Sequence, residues 1–140
     1  MSAESWFEHP QRVRYAETDQ MGVVYHANYL TWFEIGRTEL IRSLGMPYDK
    51  IEANGLLLPV VDVHVQFKLP AKYDDVITIR TRIEECTHVR VQFASEIRRA
   101  NELLVSGSTK HVWVNREWKP TRIDRAAPEL YSLLQGFTQT

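Results

Sequence analysis

A single acidic residue, Asp19, lies seven residues before His26 in the segment YAETDQMGVVYHANYL, residues 15–30. A helical pattern follows at once, so backbone amides at the helix start lack intrahelical partners and carry a partial positive charge. A carboxylate beside such amides could act as a base or nucleophile facing an oxyanion hole. An Asp close to a glycine also commonly bonds its own backbone in a turn, so the spacing alone leaves both roles open.

The other reactive residue types give weaker signals. His26 could be a general base, a hydrogen-bonding partner of a substrate, or a structural residue before the helix. No histidine has acidic or cysteine companions at ligand spacing, so no metal site is predicted. Cys86, the only cysteine, is interpreted as a small apolar residue. Neither a G-x-S-x-G nucleophile elbow nor a phosphate-binding glycine loop is present.

Three arginines are candidates for roles beyond surface solvation. Arg98 and Arg99 fall near a predicted hairpin tip, where they form either a solvated charge run or a landing site for ligand phosphates. Arg37 falls within an apolar helix stripe, and a buried guanidinium needs a partner. Glu34, three residues earlier, and loop carbonyls are the candidate partners, which would tie the helix to a loop.

The segment NYLTWFEIGRTELIRSLG, residues 28–45, predicts one long helix. Asn28 is a suitable N-cap, and Gly45 followed by Pro47 is typical of a helix end. Gly36 would allow close approach of another backbone. A spacing of 3.6 residues per turn predicts one apolar face of Leu30, Phe33, Leu40, Ile41 and Leu44.

Alternating apolar and polar residues predict strands over 60–67, 76–86, 88–97 and 103–115, with a further strand within 7–15. The RANE turn suggests a left-handed Asn101, and Gly107 suggests a bulge. Residues 47–55 and the tail 126–140 are predicted to be helical, and residues 1–5 disordered. Consecutive strands with short turns imply an antiparallel sheet, and the simplest arrangement curls that sheet around the long helix.

The bulk composition excludes several classes of function. The length of 140 residues predicts a single domain, and 18 acidic against 17 basic residues give a net charge of -1, which argues against a nucleic-acid partner. No window approaches the roughly 20 apolar residues of a membrane span. The charged amino terminus does not look like a signal peptide, and the single cysteine suggests a reducing, cytoplasmic setting.

The segment RYAETDQMGVVYHANYLTWFEIGR resembles the 4-hydroxybenzoyl-CoA thioesterase family of hot-dog-fold acyl-CoA thioesterases. It is most similar to the bacterial branch whose loop reads T-D-x-x-G-x-V-Y-H-x-x-Y. Residues 69–75 and 114–123 support the likeness, which covers roughly residues 8–125. The matching loop positions here are Thr18, Asp19, Gly22, Val24, Tyr25, His26 and Tyr29.

The resemblance implies an α+β fold with a five-stranded antiparallel sheet wrapped around a long central helix. It implies hydrolysis of an acyl-CoA to free acid and CoA, with CoA as part of the substrate and no separate cofactor. It places the catalytic carboxylate on Asp19 and the oxyanion amide near His26, whose imidazole would orient water or the thioester.

Further implications concern binding and assembly. Tyr25 and the loop glycine Gly22 would contact the acyl group, and Arg90, Arg98 and Arg99 would lie near the CoA phosphates. The resemblance also implies homodimers joined edge to edge through their sheets, often paired into a homotetramer, with active sites at the dimer interface.

The sequence departs from the family pattern at two positions, of which the first, His26, bears on whether the substrate is an aroyl-CoA. The aroyl-CoA branch has an aromatic residue at the position of His26, and Trp118 stands where relatives often have glycine. The residues also leave other classes open: a non-catalytic acyl-CoA-binding hot-dog protein, an enoyl hydratase or dehydratase using Asp19 with His26, or a structural subunit without a ligand. Acyl length, CoA against acyl carrier protein, and attack by Asp19 against activation of water are not determined by the sequence.

Overall fold

One antiparallel sheet of five strands organises the computed structural model, which describes residues 6–138. The strands stand in the order β1-β3-β4-β5-β2. Along β3 and β4 every second side chain is buried, which is the period expected of a sheet with one covered face. The strands are β1 (Phe7–Arg12), β2 (Val60–Phe67), β3 (Val76–Cys86), β4 (Arg90–Arg99) and β5 (Glu102–Val112).

The covering element is the long helix α1 (Asn28–Ser43), which packs on β3 and β4. A Cβ atom at Gly36 would overlap the hydroxyl of Thr81 and lie 2.6 Å from a methyl of Ile79. The predicted close approach at Gly36 is therefore confirmed. Three shorter helices complete the chain: α2 (Tyr48–Ala53), α3 (Ile123–Ala126) and α4 (Pro128–Thr138).

Two apolar clusters pack against α1, one against its amino-terminal half and the other against its carboxy-terminal half. The amino-terminal core joins the first turns of α1, through Tyr29, Trp32 and Phe33, to the inner faces of β3, β4 and β5. The carboxy-terminal core joins Leu40 and Ile41 to α2, α4 and the far ends of the strands. The two halves of one helix are thus held by different sets of side chains.

Three local predictions are wrong. Leu30, assigned to the apolar face, is 44% exposed, because residues 6–138 leave an open pocket beside it between α1 and β2. The left-handed residue of the RANE turn is Ala100, with φ 54°, rather than Asn101. Gly107 pairs in regular register with Val65 and Ser95 instead of forming a bulge. A Cβ at this glycine would lie 2.8 Å from the Phe33 ring, so the position accommodates that ring.

Strand β2 forms an edge of the sheet, and its side chains are less covered than its alternation predicts. Val65 is partly buried, whereas Val61, Val63 and Phe67 are exposed. An exposed apolar edge strand offers unpaired backbone groups to another chain. The opposite edge of the sheet is β1.

Among residues 6–138, no helix is long and apolar enough to span a membrane.

Candidate active site

Residues 17–25, here called the acidic loop, form a small hairpin that folds Asp19 back toward α1. The Tyr25 amide donates to the Glu17 carbonyl at 2.9 Å, and the Asp19 amide donates to the Val23 carbonyl at 2.9 Å. The Gly22 amide closes the tip onto the Asp19 carbonyl at 3.0 Å, with a φ of +81° that favours glycine. Because the two arms of this hairpin are hydrogen-bonded to each other, Asp19 and His26 are closer in space than their separation of seven residues suggests.

The Asp19 carboxylate is half-buried and has one oxygen in use. Oδ1 accepts a hydrogen bond from the Met21 amide at 2.9 Å, which is the turn contact expected of an Asp in this position. Among residues 6–138, no donor bonds Oδ2. The turn role and a chemical role are therefore compatible, since the first uses one oxygen and leaves the second for a substrate or water.

Helix α1 begins without a side-chain cap. The N-cap position is Ala27, and the first amides to find partners are those of Asn28 and Tyr29, which donate to Tyr25 and His26 carbonyls. Within the described chain, the amides of His26 and Ala27 donate no hydrogen bond. Unpaired amides at a helix start attract an oxyanion. The amide of His26, the residue predicted to provide the oxyanion hole, is therefore without an acceptor among residues 6–138.

The prediction that Asn28 caps this helix is wrong. Asn28 is already the first helical residue, and its side-chain amide donates to the Glu17 carbonyl at 2.8 Å. It ties the acidic loop to α1 instead of satisfying a helix amide.

Glu17 is a positioning residue that the sequence reasoning missed. Its carboxylate is 6% exposed, and its two oxygens accept from the Trp32 indole at 2.9 Å and from the Arg14 amide at 2.8 Å. Trp32 belongs to the amino-terminal core, so Glu17 fixes the start of the acidic loop to a buried ring. The only sequence signal was its place two residues before Asp19, which does not reveal a partner fifteen residues further on.

A cleft of about 260 Å³ opens between the acidic loop and the end of β2. Asp19 and His26 lie on one side, and Tyr29, Phe67 and Leu69 provide apolar walls. The Phe67 ring lies 5.6 Å from the Tyr29 ring and 6.4 Å from the His26 ring, measured between centroids. The Tyr29 hydroxyl accepts from the Ala71 amide at 3.0 Å, and burial raises its pKa. An acid and open amides therefore meet apolar surface in one cleft.

Comparison with known proteins identifies the family to which this chain belongs. The profile of the thioesterase-like superfamily matches residues 13–132. The chain belongs to this superfamily. The predicted family resemblance, the hot-dog fold and the thioester-hydrolase class are confirmed.

Individual relatives of this thioesterase carry names of the same kind. The putative acyl-CoA thioesterase YneP of Bacillus subtilis is 42% identical over 122 residues, covering 86% of this chain and 88% of that protein. The DHNA-CoA thioesterase of Staphylococcus aureus superposes with a TM-score of 0.88 at 37% identity, covering 94% of this chain and 91% of its own. A probable thioesterase from Bartonella henselae superposes with a TM-score of 0.82 at 33% identity, covering 84% and 98%.

The remaining predicted site residues lie at different distances from the thioesterase cleft. Tyr25 does not line the cleft: its ring is tilted against that of His26, with centroids 4.5 Å apart, and Gly22 forms the loop tip. Arg99 donates to the carbonyl of Pro70, a residue of the cleft wall, at 3.3 Å, and it pairs with Asp75 and Glu102. Arg98 pairs with Glu96 on the sheet.

Arg90 lies at the other end of β4 from Arg98 and Arg99, near Lys110 and His111. Of the three predicted phosphate ligands, Arg99 alone contacts a residue of the cleft wall within residues 6–138, and none of the three lines the cleft itself. Across the part of the chain that the structure describes, no group of three His, Cys, Asp or Glu side chains is placed to hold a metal ion.

Proposed function

We propose that this thioesterase hydrolyses an acyl-CoA to a free acid and CoA, with Asp19 and the His26 amide as its chemical groups. One observation carries the proposal: a carboxylate oxygen and a helix-start amide, both without partners in residues 6–138, belong to one cleft. The acyl-CoA substrate is supported by the names of relatives such as the Bacillus subtilis protein. CoA enters as part of the substrate, with no separate cofactor.

The proposed chemistry follows from charge. The thioester carbonyl oxygen accepts from the His26 amide, and the partial positive charge of the helix start stabilises the negative charge that develops on it. The ionised Asp19 carboxylate then either removes a proton from an attacking water or attacks the carbonyl carbon itself. Direct attack breaks the C–S bond, releases CoA thiolate and leaves a mixed anhydride that water hydrolyses. The His26 imidazole, exposed in the cleft, orients the water or the thioester.

Substrate placement follows the cleft walls. Phe67, Tyr29 and Leu69 would cover the acyl group near the thioester, with Tyr25 and Gly22 shaping the approach. Arg99 would hold a CoA phosphate, whereas Arg90 and Arg98 would reach the phosphates from a second copy. An aromatic acyl group is a candidate because the Staphylococcus aureus relative is named for DHNA-CoA.

We also propose that the protein works as a homodimer that pairs further into a homotetramer. Strand β2 supports this assembly, because its exposed apolar side chains and unpaired backbone groups lie at the sheet edge beside the cleft. Leu30, exposed on α1 toward β2, would be covered by the same contact. The proposed setting is the cytoplasm, with neither a nucleic acid nor a membrane as partner.

The decisive experiment measures thiol release from a panel of aliphatic and aromatic acyl-CoAs. Asp19→Asn keeps the shape and removes the base, so kcat should fall by roughly 100-fold or more with the fold intact. Asp49→Asn, at an exposed position in the first turn of α2, is the matched control and should retain the parent kcat. Parent-level hydrolysis by Asp19→Asn would remove Asp19 from the mechanism.

Two further readings separate the alternatives. His26→Ala should cost less than Asp19→Asn, because the backbone amide survives; an equal loss would assign the main role to the imidazole. Loss of enoyl-CoA double-bond absorbance without thiol release would indicate a hydratase, and saturable binding without turnover would indicate a binding protein.

A further inference from the structure

A second pocket of about 290 Å³ lies further along the same side of α1, between the helix and β2. Its apolar walls are Leu30, Phe33, Val60 and Val63. Arg37 closes its far end, eight residues after Tyr29, which lines the active-site cleft. At 1.5 Å per residue this places Arg37 about 12 Å further along the helix axis. Strand β2 follows the same course, from Phe67 at the active site to Val63 and Val60 at the second pocket.

Arg37 has only neutral partners. Its Nε donates to the Tyr48 hydroxyl at 3.1 Å, and its Nη1 lies 3.4 Å from Nε2 of His111. The expected partner Glu34 forms no ion pair with it, and no other carboxylate among residues 6–138 does so. A guanidinium carries five N–H donors, so most of its donors have no partner among residues 6–138, and the nearby carboxylates of Glu34 and Glu52 form no ion pair with it.

The surroundings keep those partners neutral. His111 is fully buried, and burial together with the nearby Arg37 charge lowers its pKa to about 4. Since Arg37 can only donate, Nε2 of His111 must accept, and Nδ1 then carries the proton toward the Leu58 carbonyl at 3.4 Å. The Thr109 hydroxyl, which also lines the pocket, lies 2.8 Å from the same Nε2. No group in this cluster neutralises the guanidinium.

A half-buried cation that forms no ion pair, on the wall of an apolar pocket, is costly unless a ligand completes it. We propose that the pocket binds the distal carboxylate of the acyl group, so that ω-carboxyacyl-CoA thioesters are a substrate class of this enzyme. The inference rests on the proposed function, because it assigns the far end of the same substrate. The methylene chain would lie on Leu30, Phe33 and Val63, and the carboxylate would pair with Arg37 in the two-pronged geometry that guanidinium favours. Exposed Glu34, on the pocket wall, weakens the attraction without cancelling it.

The test compares ω-carboxyacyl-CoAs with methyl-terminated acyl-CoAs of equal length, across a series of chain lengths. The ratio of their kcat/KM values in one preparation does not depend on the fraction of active enzyme. At the best length the parent should favour the ω-carboxy substrate by about tenfold or more. Arg37→Gln should abolish that preference, and Arg42→Gln, an exposed arginine on the same helix, should leave it unchanged. Glu34→Gln should raise it.

A second readout needs no turnover. Free dicarboxylic acids should raise the melting temperature of the parent more than monocarboxylic acids of equal length, and Arg37→Gln should remove the difference. If no acyl-CoA is hydrolysed while this difference persists, the pocket stands and the proposed function fails. If acyl-CoAs are hydrolysed and neither the kcat/KM ratio nor the melting temperature favours the carboxylate, the pocket assignment is overturned.

If the anion that pairs with Arg37 came from another source, the Arg37→Gln variant would behave differently. A CoA phosphate at Arg37 would make Arg37→Gln weaken every acyl-CoA equally, and would spare acyl-pantetheine substrates. A carboxylate of a second copy would make the substitution dissociate the oligomer on size-exclusion chromatography, with no change in the substrate ratio. Either result overturns the proposal. Should Arg37→Gln not fold, the parent ratio decides, because absence of preference at every length excludes the pocket.

Discussion

The two ends of α1 are built in opposite ways. At the amino end no side chain caps the helix, the amides of His26 and Ala27 stay open, and polar contacts from Glu17 and Asn28 hold the loop. At the carboxy end the Gly45 amide donates to the Arg42 carbonyl at 2.9 Å, with Gly45 at φ +94°. One end therefore leaves its peptide groups available for a ligand, and the other satisfies them internally.

The two ends of α1 also differ in their apolar packing, which is more complete at the carboxy end. Around Leu40 and Ile41 the carboxy-terminal core is formed by α2, α4 and three strands. The amino-terminal core stops short of Leu30 and of the exposed apolar residues of β2. A helix anchored by apolar burial at one end can therefore keep peptide groups without partners at the other end. Stability and chemistry should consequently respond to different substitutions.

The largest expected effect is on stability, from Leu40→Ala in the carboxy-terminal core. Leu40 is fully buried, so its truncation should lower the free energy of unfolding by about 2–5 kcal/mol in urea denaturation. The kcat of the folded fraction should stay at the parent value. Thr31→Ala, at an exposed position in the amino-terminal half of the same helix, should cost under about 1 kcal/mol. Equal losses would mean that the two halves of α1 are not held independently.

The free energy of unfolding should depend on pH through His111, which packs against the carboxy-terminal core. Burial lowers the His111 pKa to about 4 from an ordinary 6.5 in the unfolded chain, so between these values the unfolded chain binds the extra proton. The free energy of unfolding should therefore fall as the pH drops from about 6.5 toward 4, by at most about 3 kcal/mol. Urea titrations of the parent and of His111→Gln at several pH values should differ in slope within this window. Parallel curves would contradict a neutral, buried imidazole.

A smaller effect, confined to activity, is expected from Glu17→Gln at the amino end. The amide of Gln offers one acceptor where two donors, the Trp32 indole and the Arg14 amide, need one each. The acidic loop should shift, and kcat should fall on the order of tenfold, since small displacements of reacting groups are costly.

The control for Glu17→Gln is Trp32→Phe, which removes one of the donors and should restore part of the lost kcat when combined with it. KM should change less than kcat in the single variant. A drop in melting temperature with kcat unchanged would show that Glu17 supports the fold but does not position Asp19.

The smallest expected effect comes from Gly45→Ala at the carboxy end of α1. Alanine at φ +94° is strained, which should cost about 1 kcal/mol of stability with no loss of kcat. Gly136→Ala, inside α4 with open space around it, should instead stabilise by up to about 1 kcal/mol. Thermal unfolding of both variants measures the difference, and an effect of Gly45→Ala on kcat would show that the two ends are coupled.

Much of this architecture was predictable, because alternation and helical spacing are local properties. The patterns of β3 and β4 predicted the buried face, and Gly36 and Gly45 predicted a close approach and a helix end. The predictions failed where the outcome depends on a distant partner. Asn28 bonds the Glu17 carbonyl instead of capping its helix, and Leu30 is exposed although Phe33, Leu40 and Ile41 of the same apolar stripe are buried. For Gly107, the deciding neighbour is the Phe33 ring, 74 residues earlier.

The sequence by itself determined the order of elements, the alternating faces and the pairing of Asp19 with a helix start seven residues on. Only the tertiary structure decided which atoms remain unbonded there, that Glu17 reaches Trp32, and that Arg37 finds Tyr48 and His111 rather than Glu34. The physical reason is that periodicity fixes the direction of a side chain relative to its own element, whereas hydrogen bonds and charge compensation depend on what other elements bring to the same place. The reactive groups proposed for this thioesterase, one oxygen of Asp19 and the amide of His26, are groups that residues 6–138 leave without a partner.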